Sequence, residues 1–113
     1  MDVKELSKQY FDVWNAHNVA GIQAKHAAQS RLTDWDGTHG PTAGVVAQGI
    51  AGIWKAVPNI RIEIKSVFTS AASLTCVTNI DVIVDETTRL NVCDVIEYDE
   101  AGLVVSLNAY LAK

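Results

Sequence analysis

Three polar side chains stand where the pattern around them calls for something else, and their types could move a proton. In RLNVCDVIEY, residues 89–98, every second position gives Leu90, Val92, Asp94, Ile96 and Tyr98, so one carboxyl group sits mid-face among apolar neighbours. A carboxylate there is costly unless a partner reaches it. The alternative is that it stays protonated and becomes a hydrogen-bond donor. Tyr10 lies within the apolar stripe of the first helical segment, and Asp34 closes a short strand ahead of a glycine-rich stretch. An ionised carboxylate can take a proton, while a phenol and a neutral acid can donate to an oxygen that gains charge. Each residue also has an ordinary explanation. A core tyrosine finds a hydrogen-bond partner, an aspartate ahead of glycines turns the chain, and a buried aspartate holds a loop by accepting amides.

The elements that must position these groups follow from periodicity. Val3, Leu6, Tyr10, Val13, Trp14 and His17 recur at helical spacing over residues 2–17. Asn18 is placed to cap a second helix from Val19 to about Ala27. SRLTD, residues 30–34, predicts a short strand, and WDGTHGPTAG, with Gly37, Gly40, Pro41 and Gly44, predicts a loop. Val45, Val46, Ile50, Ile53 and Trp54 predict a third helix that Pro58 stops, and Trp14 and Trp54 on inner stripes read as core or pocket wall. After Pro58 the apolar period drops to two. Ile60, Ile62 and Ile64 alternate with charged residues, and Leu74, Cys76, Thr78, Ile80, Val82 and Val84 share a face. A hairpin turning at DEAG, residues 99–102, ends the pattern. Helices followed by antiparallel strands predict one α+β domain over 1–113, its helices covering one face of a curved sheet.

Composition narrows the function. Hydrophobic residues make up 49% and charged ones 19%, which argues against disorder, and a net charge of −4 without a basic cluster offers nucleic acid nothing. Apolar runs are short and broken by Gln48 and Lys55, so no membrane span is expected. The polar start MDVKELSKQ does not read as a signal peptide, and a cytoplasmic location follows as the default. Cys76 and Cys93 form no CxxC pair and fall in separate strands, which favours reduced thiols, and Cys93 should face away from Asp94. His17, His26 and His39 with Asp34 and Asp36 lack HxH or HExxH spacing, so no metal site is expected, and Asp36 before Gly37 reads as a turn residue. The outer sheet face, with Thr75, Val77, Ile83 and Val95, is too apolar for full exposure and predicts a homodimer.

A resemblance concerns the same three polar residues. DVIEYDEAGLVVSLNAYL, residues 94–111, is similar to the last two strands of ketosteroid isomerase, with Asp94 on the family's oxyanion-hole aspartate. QYFDVWNAHNVAGI, residues 9–22, resembles the segment that carries the oxyanion-hole tyrosine, which Tyr10 matches; counted on without a gap, Asp34 falls on the general base. On these residues the chain is identified as a ketosteroid isomerase-like, SnoaL-like member of the nuclear transport factor 2-like superfamily. That implies a cone-shaped, cystatin-like fold and a cofactor-independent isomerase that shifts a double bond next to a ketone, in a 3-oxo-Δ5-steroid or a similar hydrophobic molecule. Asp34 would shuttle the proton while Tyr10 and a protonated Asp94 donate to the dienolate oxygen. The ligand would be a small hydrophobic carbonyl compound, bound in a cone walled by Trp14, Ile50, Trp54, Thr78, Ile80, Val82 and Leu107.

The sequence also departs from the family. A tyrosine of the third helix is matched by Ala51, an aromatic ring of the second by His26, and the proline after the base by Trp35, so any network behind Tyr10 is altered. Ile50, Thr78 and Val82 replace larger aromatics, which would widen or reshape a steroid-sized site. The superfamily also holds polyketide cyclases, epoxide hydrolase-like enzymes and non-catalytic binding or dimerisation modules. The match by type at Tyr10, Asp34 and Asp94 favours catalysis over mere ligand binding.

Overall fold

Asp2 starts the first helix by accepting the amides of Lys4 and Glu5 at 3.1 and 3.2 Å, which satisfies two of the donors that a helix start leaves free. Helix α1 then runs Val3–Asn15 in the computed structural model, which describes residues 1–70 and 72–112. Its inward stripe is Val3, Ser7, Tyr10, Phe11 and Trp14. The helix stops where His17 takes φ 53°, a left-handed conformation uncommon outside glycine. Asn15 then ties it to the sheet by donating to the Ile62 carbonyl at 2.8 Å and accepting the Ile62 amide at 2.7 Å. His17 Nε2 donates to the Ile60 carbonyl at 2.8 Å, and its ring stacks on Trp54 with centroids 4.9 Å apart.

Helix α2 is Val19–Lys25, capped by Asn18, which accepts the Gly21 amide at 2.9 Å. It ends two residues earlier than the spacing predicts, because His26 already has extended backbone and opens strand β1, His26–Asp34. The stretch expected to be wholly loop holds a three-residue strand, β2 (Gly37–His39), which pairs antiparallel with β1 through Asp34↔Gly37. Thr42 caps helix α3, Ala43–Ala56, by accepting the Val45 amide at 3.2 Å. Gly49 on α3 faces the His39 ring so closely that a Cβ there would lie 2.6 Å from Nδ1.

The remaining strands are β3 (Arg61–Thr69), β4 (Thr75–Ile83), β5 (Arg89–Tyr98) and β6 (Val104–Leu111). The six-stranded sheet has the order β2-β1-β6-β5-β4-β3, antiparallel except where β1 runs parallel to β6. Gly102 turns the β5–β6 hairpin with φ +82°, while Asp99 Oδ1 accepts the amides of Ala101 and Leu103 at 2.9 and 3.0 Å. This is the α+β, cystatin-like cone, with three helices on one face of an open, curved sheet. Val92, Asp94, Ile96 and Tyr98 are buried on that face, as the alternation requires, and so are Cys76, Thr78, Ile80 and Val82 of β4. Ile64 departs from its expected inner position at 38% exposed, since it lies on edge strand β3 beside a register shift. Both cysteines are free. On the outer face, cross-strand register aligns Phe68, Val77, Val95 and Asn108 in one row. Ile83 is already buried within the single chain. Among the described residues no helix is long and apolar enough to cross a membrane.

Candidate active site

The helices leave a cavity of about 150 Å³ between themselves and the sheet, and Tyr10, Asp34 and Asp94 all line it. Each arrives from a different element. Tyr10 comes from the buried stripe of α1, Asp34 from the end of β1, and Asp94 from the middle of β5, where it pairs with Thr78 on one side and Ala109 on the other. Of the apolar wall expected from the sequence, Trp14, Ile50, Ile80, Val82 and Leu107 line this space. Trp54 and Thr78 do not. Trp54 is turned onto the rings of Trp14 and His17, and Thr78 is fully buried with Oγ1 donating to the Asp94 backbone carbonyl at 3.5 Å. The wall also includes residues the periodicity did not single out, among them Phe11 and Leu32, with Ile53 of the α3 stripe and Trp35 and Asp36 beside Asp34. About 150 Å³ is the scale of a cavity that takes one benzene ring.

Asp94 is 5% exposed, and among the described residues no protein group hydrogen-bonds its carboxyl. Burial, and after it the charge of Asp34, raises its pKa from 3.8 to about 7. A large fraction of it is therefore neutral at neutral pH, with an O–H free to donate into the cavity. Tyr10, 1% exposed, is held as a phenol well above its ordinary range by burial, then by Asp94 and Tyr98. Asp34 is half-buried; its Oδ1 accepts the amides of Asp36 and Gly37 at 2.8 and 3.1 Å. That is the turn role foreseen for an aspartate before glycine. Among the described residues it leaves Oδ2 without a protein partner.

Behind Tyr10 the structure supplies a group that the sequence showed only as a departure. Tyr10 Oη is 2.9 Å from His26 Nε2, and His26 Nδ1 is 3.2 Å from Ser30 Oγ. Burial lowers the pKa of His26 from 6.5 to about 4, so the ring is neutral. A second buried pair, Ser7 and Tyr98 at 2.8 Å, does not line the cavity. Among the described residues no cluster of three His, Cys, Asp or Glu side chains could hold a metal ion.

Comparison with known proteins agrees with this architecture. The fold is similar to a protein of unknown function with a cystatin-like fold from Methylobium petroleophilum PM1, with a TM-score of 0.86, 15% identity, and coverage of 98% of this chain and 76% of that one. It is similar to a candidate isomerase of the SnoaL-like family from Agrobacterium tumefaciens str. C58, with a TM-score of 0.81, 13% identity, and coverage of 96% of each chain. A candidate ketosteroid isomerase from Kribbella flavida DSM 17836 has a TM-score of 0.81 and 13% identity, with coverage of 98% of this chain and 78% of that one. At these identities the likeness establishes the fold alone. A comparison with curated proteins gives no match. The model of the SnoaL-like domain family matches residues 7–107, nearly the whole of the cone and its cavity, and the chain belongs to that family.

Proposed function

We propose that this chain is a cofactor-independent isomerase that moves a carbon–carbon double bond into conjugation with a ketone. The observation that carries the proposal is the Asp94 carboxyl, buried without a protein partner on the cavity that Tyr10 and Asp34 share. Asp34 Oδ2 takes a proton from the carbon between the carbonyl and the alkene. The C–H electrons form the dienolate, whose oxygen accepts hydrogen bonds from Tyr10 and neutral Asp94, and Asp34 returns the proton to the far alkene carbon. No electron leaves the pair of reactants, so neither metal nor redox cofactor is required. Two proteins of similar fold are named as candidate isomerases, which supports the reading.

The cavity restricts the substrate. About 150 Å³ admits one six-membered ring, so a four-ring steroid would leave most of its length outside, past Trp35 and Asp36. A one-ring β,γ-unsaturated ketone is the best fit. With such a ketone, Asp34→Asn should abolish formation of the conjugated enone, followed by its ultraviolet absorbance, while binding of a one-ring phenol persists. Conversion untouched by Asp34→Asn would remove Asp34 as the base.

The Asp34 turn favours a second reading, a hydrophobic-ligand-binding module in which that carboxylate is purely structural. It predicts ligand binding with no turnover of any ketone or epoxide. A homodimer through the outer sheet face belongs to the same proposal, supported by the row of Phe68, Val77 and Val95, and the mass in solution tests it.

A further inference from the structure

We propose that His26 and Ser30 form a tautomer switch that releases the Tyr10 hydrogen to a ligand, which makes His26 a positioning residue for the oxyanion site. The inference rests on the reading that the cavity receives a carbonyl or oxyanion oxygen. The three groups form an isolated chain, Tyr10 Oη to His26 Nε2 at 2.9 Å and His26 Nδ1 to Ser30 Oγ at 3.2 Å, with exposures of 1%, 4% and 3%. A neutral imidazole carries one donor and one acceptor nitrogen, so the chain can be satisfied in two ways. In the first, the Tyr10 O–H donates to Nε2 and Nδ1–H donates to Ser30 Oγ. In the second, Nε2–H donates to Tyr10 Oη, Ser30 O–H donates to Nδ1, and the Tyr10 hydrogen points into the cavity.

Both arrangements hold one hydrogen on the ring and one on each hydroxyl, so no charge moves between them. What differs is the cavity. With no ligand oxygen in the cavity, each arrangement makes both bonds of the chain and leaves one hydroxyl hydrogen over, that of Ser30 in the first and that of Tyr10 in the second. With an oxygen bound, the first arrangement withholds the phenol donor, whereas the second supplies it and leaves no nitrogen unpaired. In the second, the N–H donated to Oη also polarises the phenol and strengthens its own donation. Ser30 is needed because it is the group at Nδ1, and a hydroxyl there can serve as either donor or acceptor.

The local fold gives the pair its place. Four residues of regular strand would separate His26 and Ser30 by about 13 Å. Between His26 and Arg31 the β1–β6 register shifts, so that five steps along β1 oppose two along β6, and the bulge brings the ring and the hydroxyl together.

The test is ¹⁵N-histidine NMR of the whole chain with and without 4-nitrophenol, the His26 signals being assigned by their loss in His26→Gln. Phenolate absorbance reports binding separately. The expected result is a mixture of Nδ1–H and Nε2–H tautomers in the free protein and the Nε2–H tautomer alone in the complex. Nitrophenol bound with the tautomer unchanged overturns the switch and leaves the site reading standing; no binding overturns the site reading, and the switch falls with it. In a second arm, His26→Phe should weaken nitrophenolate roughly three- to tenfold while toluene, which has no oxygen, binds as before. His26→Gln, whose amide can donate to Oη or accept from it, should restore most of the loss. Equal weakening of nitrophenolate and toluene would assign His26 to packing and refute the proposal.

Discussion

Asp94 and Asp34 line one cavity, and the charge of the second helps to keep the first neutral. Two acids placed so unequally divide the work, the wetter one for taking a proton and the buried one for donating a hydrogen bond. Because Asp94 titrates near about 7, the proposed chemistry should decline as pH rises through that value, where the donor becomes a carboxylate. Asp94→Asn should remove this alkaline limb and keep part of the rate, since an amide still donates. Asp94→Ala should cost roughly a hundredfold, the scale of one lost oxyanion donor. A pH–rate profile of the three proteins checks this; a limb unchanged in Asp94→Asn belongs to another group. That Asp94 faces inward was legible because a strand's period of two is strict and its neighbours Val92 and Ile96 are plainly apolar. The partnership of Tyr10 with His26 and Ser30 was not, because it joins α1 to β1 and the His26–Ser30 approach depends on a bulge that leaves no mark in local spacing.

The β1–β2 hairpin is the element that aims Asp34. Reading residues 35–44 as loop identified the turn chemistry correctly and missed the strand, since a three-residue strand is too short for alternation to show and glycine favours no regular element. The His39 ring of the hairpin lies directly against Gly49 of α3, and any Cβ at Gly49 forces that ring to move. Gly49→Ala therefore trades a helix-propensity gain of about 1 kcal/mol against a clash of about 1–3 kcal/mol. The expected net is a stability loss near 1 kcal/mol with a larger fall in kcat than in phenol affinity, because Asp34 is displaced while the apolar wall stays. Adding His39→Ala should recover the stability, which urea unfolding of the double-mutant cycle measures. Failure to recover would place the cost elsewhere in α3.

Across the whole molecule, helix order and the β3-to-β6 meander were legible from the change of period after Pro58, but the parallel pairing of β1 with β6 was not. It joins residues some 75 positions apart, and no local pattern encodes it. His26 on β1 and Asp94 on β5 are both buried, and the two groups act on stability with opposite signs. Asp94 has its folded pKa raised, from 3.8 to about 7, so between those values the folded chain holds a proton that the unfolded one has lost. Its contribution is complete below the lower value and is lost as pH rises, about 4 kcal/mol in all at about 1.4 kcal/mol per pH unit. His26 has its folded pKa lowered, from 6.5 to about 4, so in that window the unfolded chain holds the extra proton and stability rises with pH, by about 3 kcal/mol. From pH 4 to 6.5 the two slopes nearly cancel in the wild type. Asp94→Asn should expose the rising slope of His26, and His26→Gln the falling slope of Asp94, each read as a difference from wild type in urea unfolding at pH 4.5, 5.5 and 6.5. Above pH 7.5 Asp94→Asn should be the more stable protein, because it no longer buries a carboxylate beside Asp34. Variants that track the wild type in parallel across this range would mean that neither group carries the proton difference assigned to it.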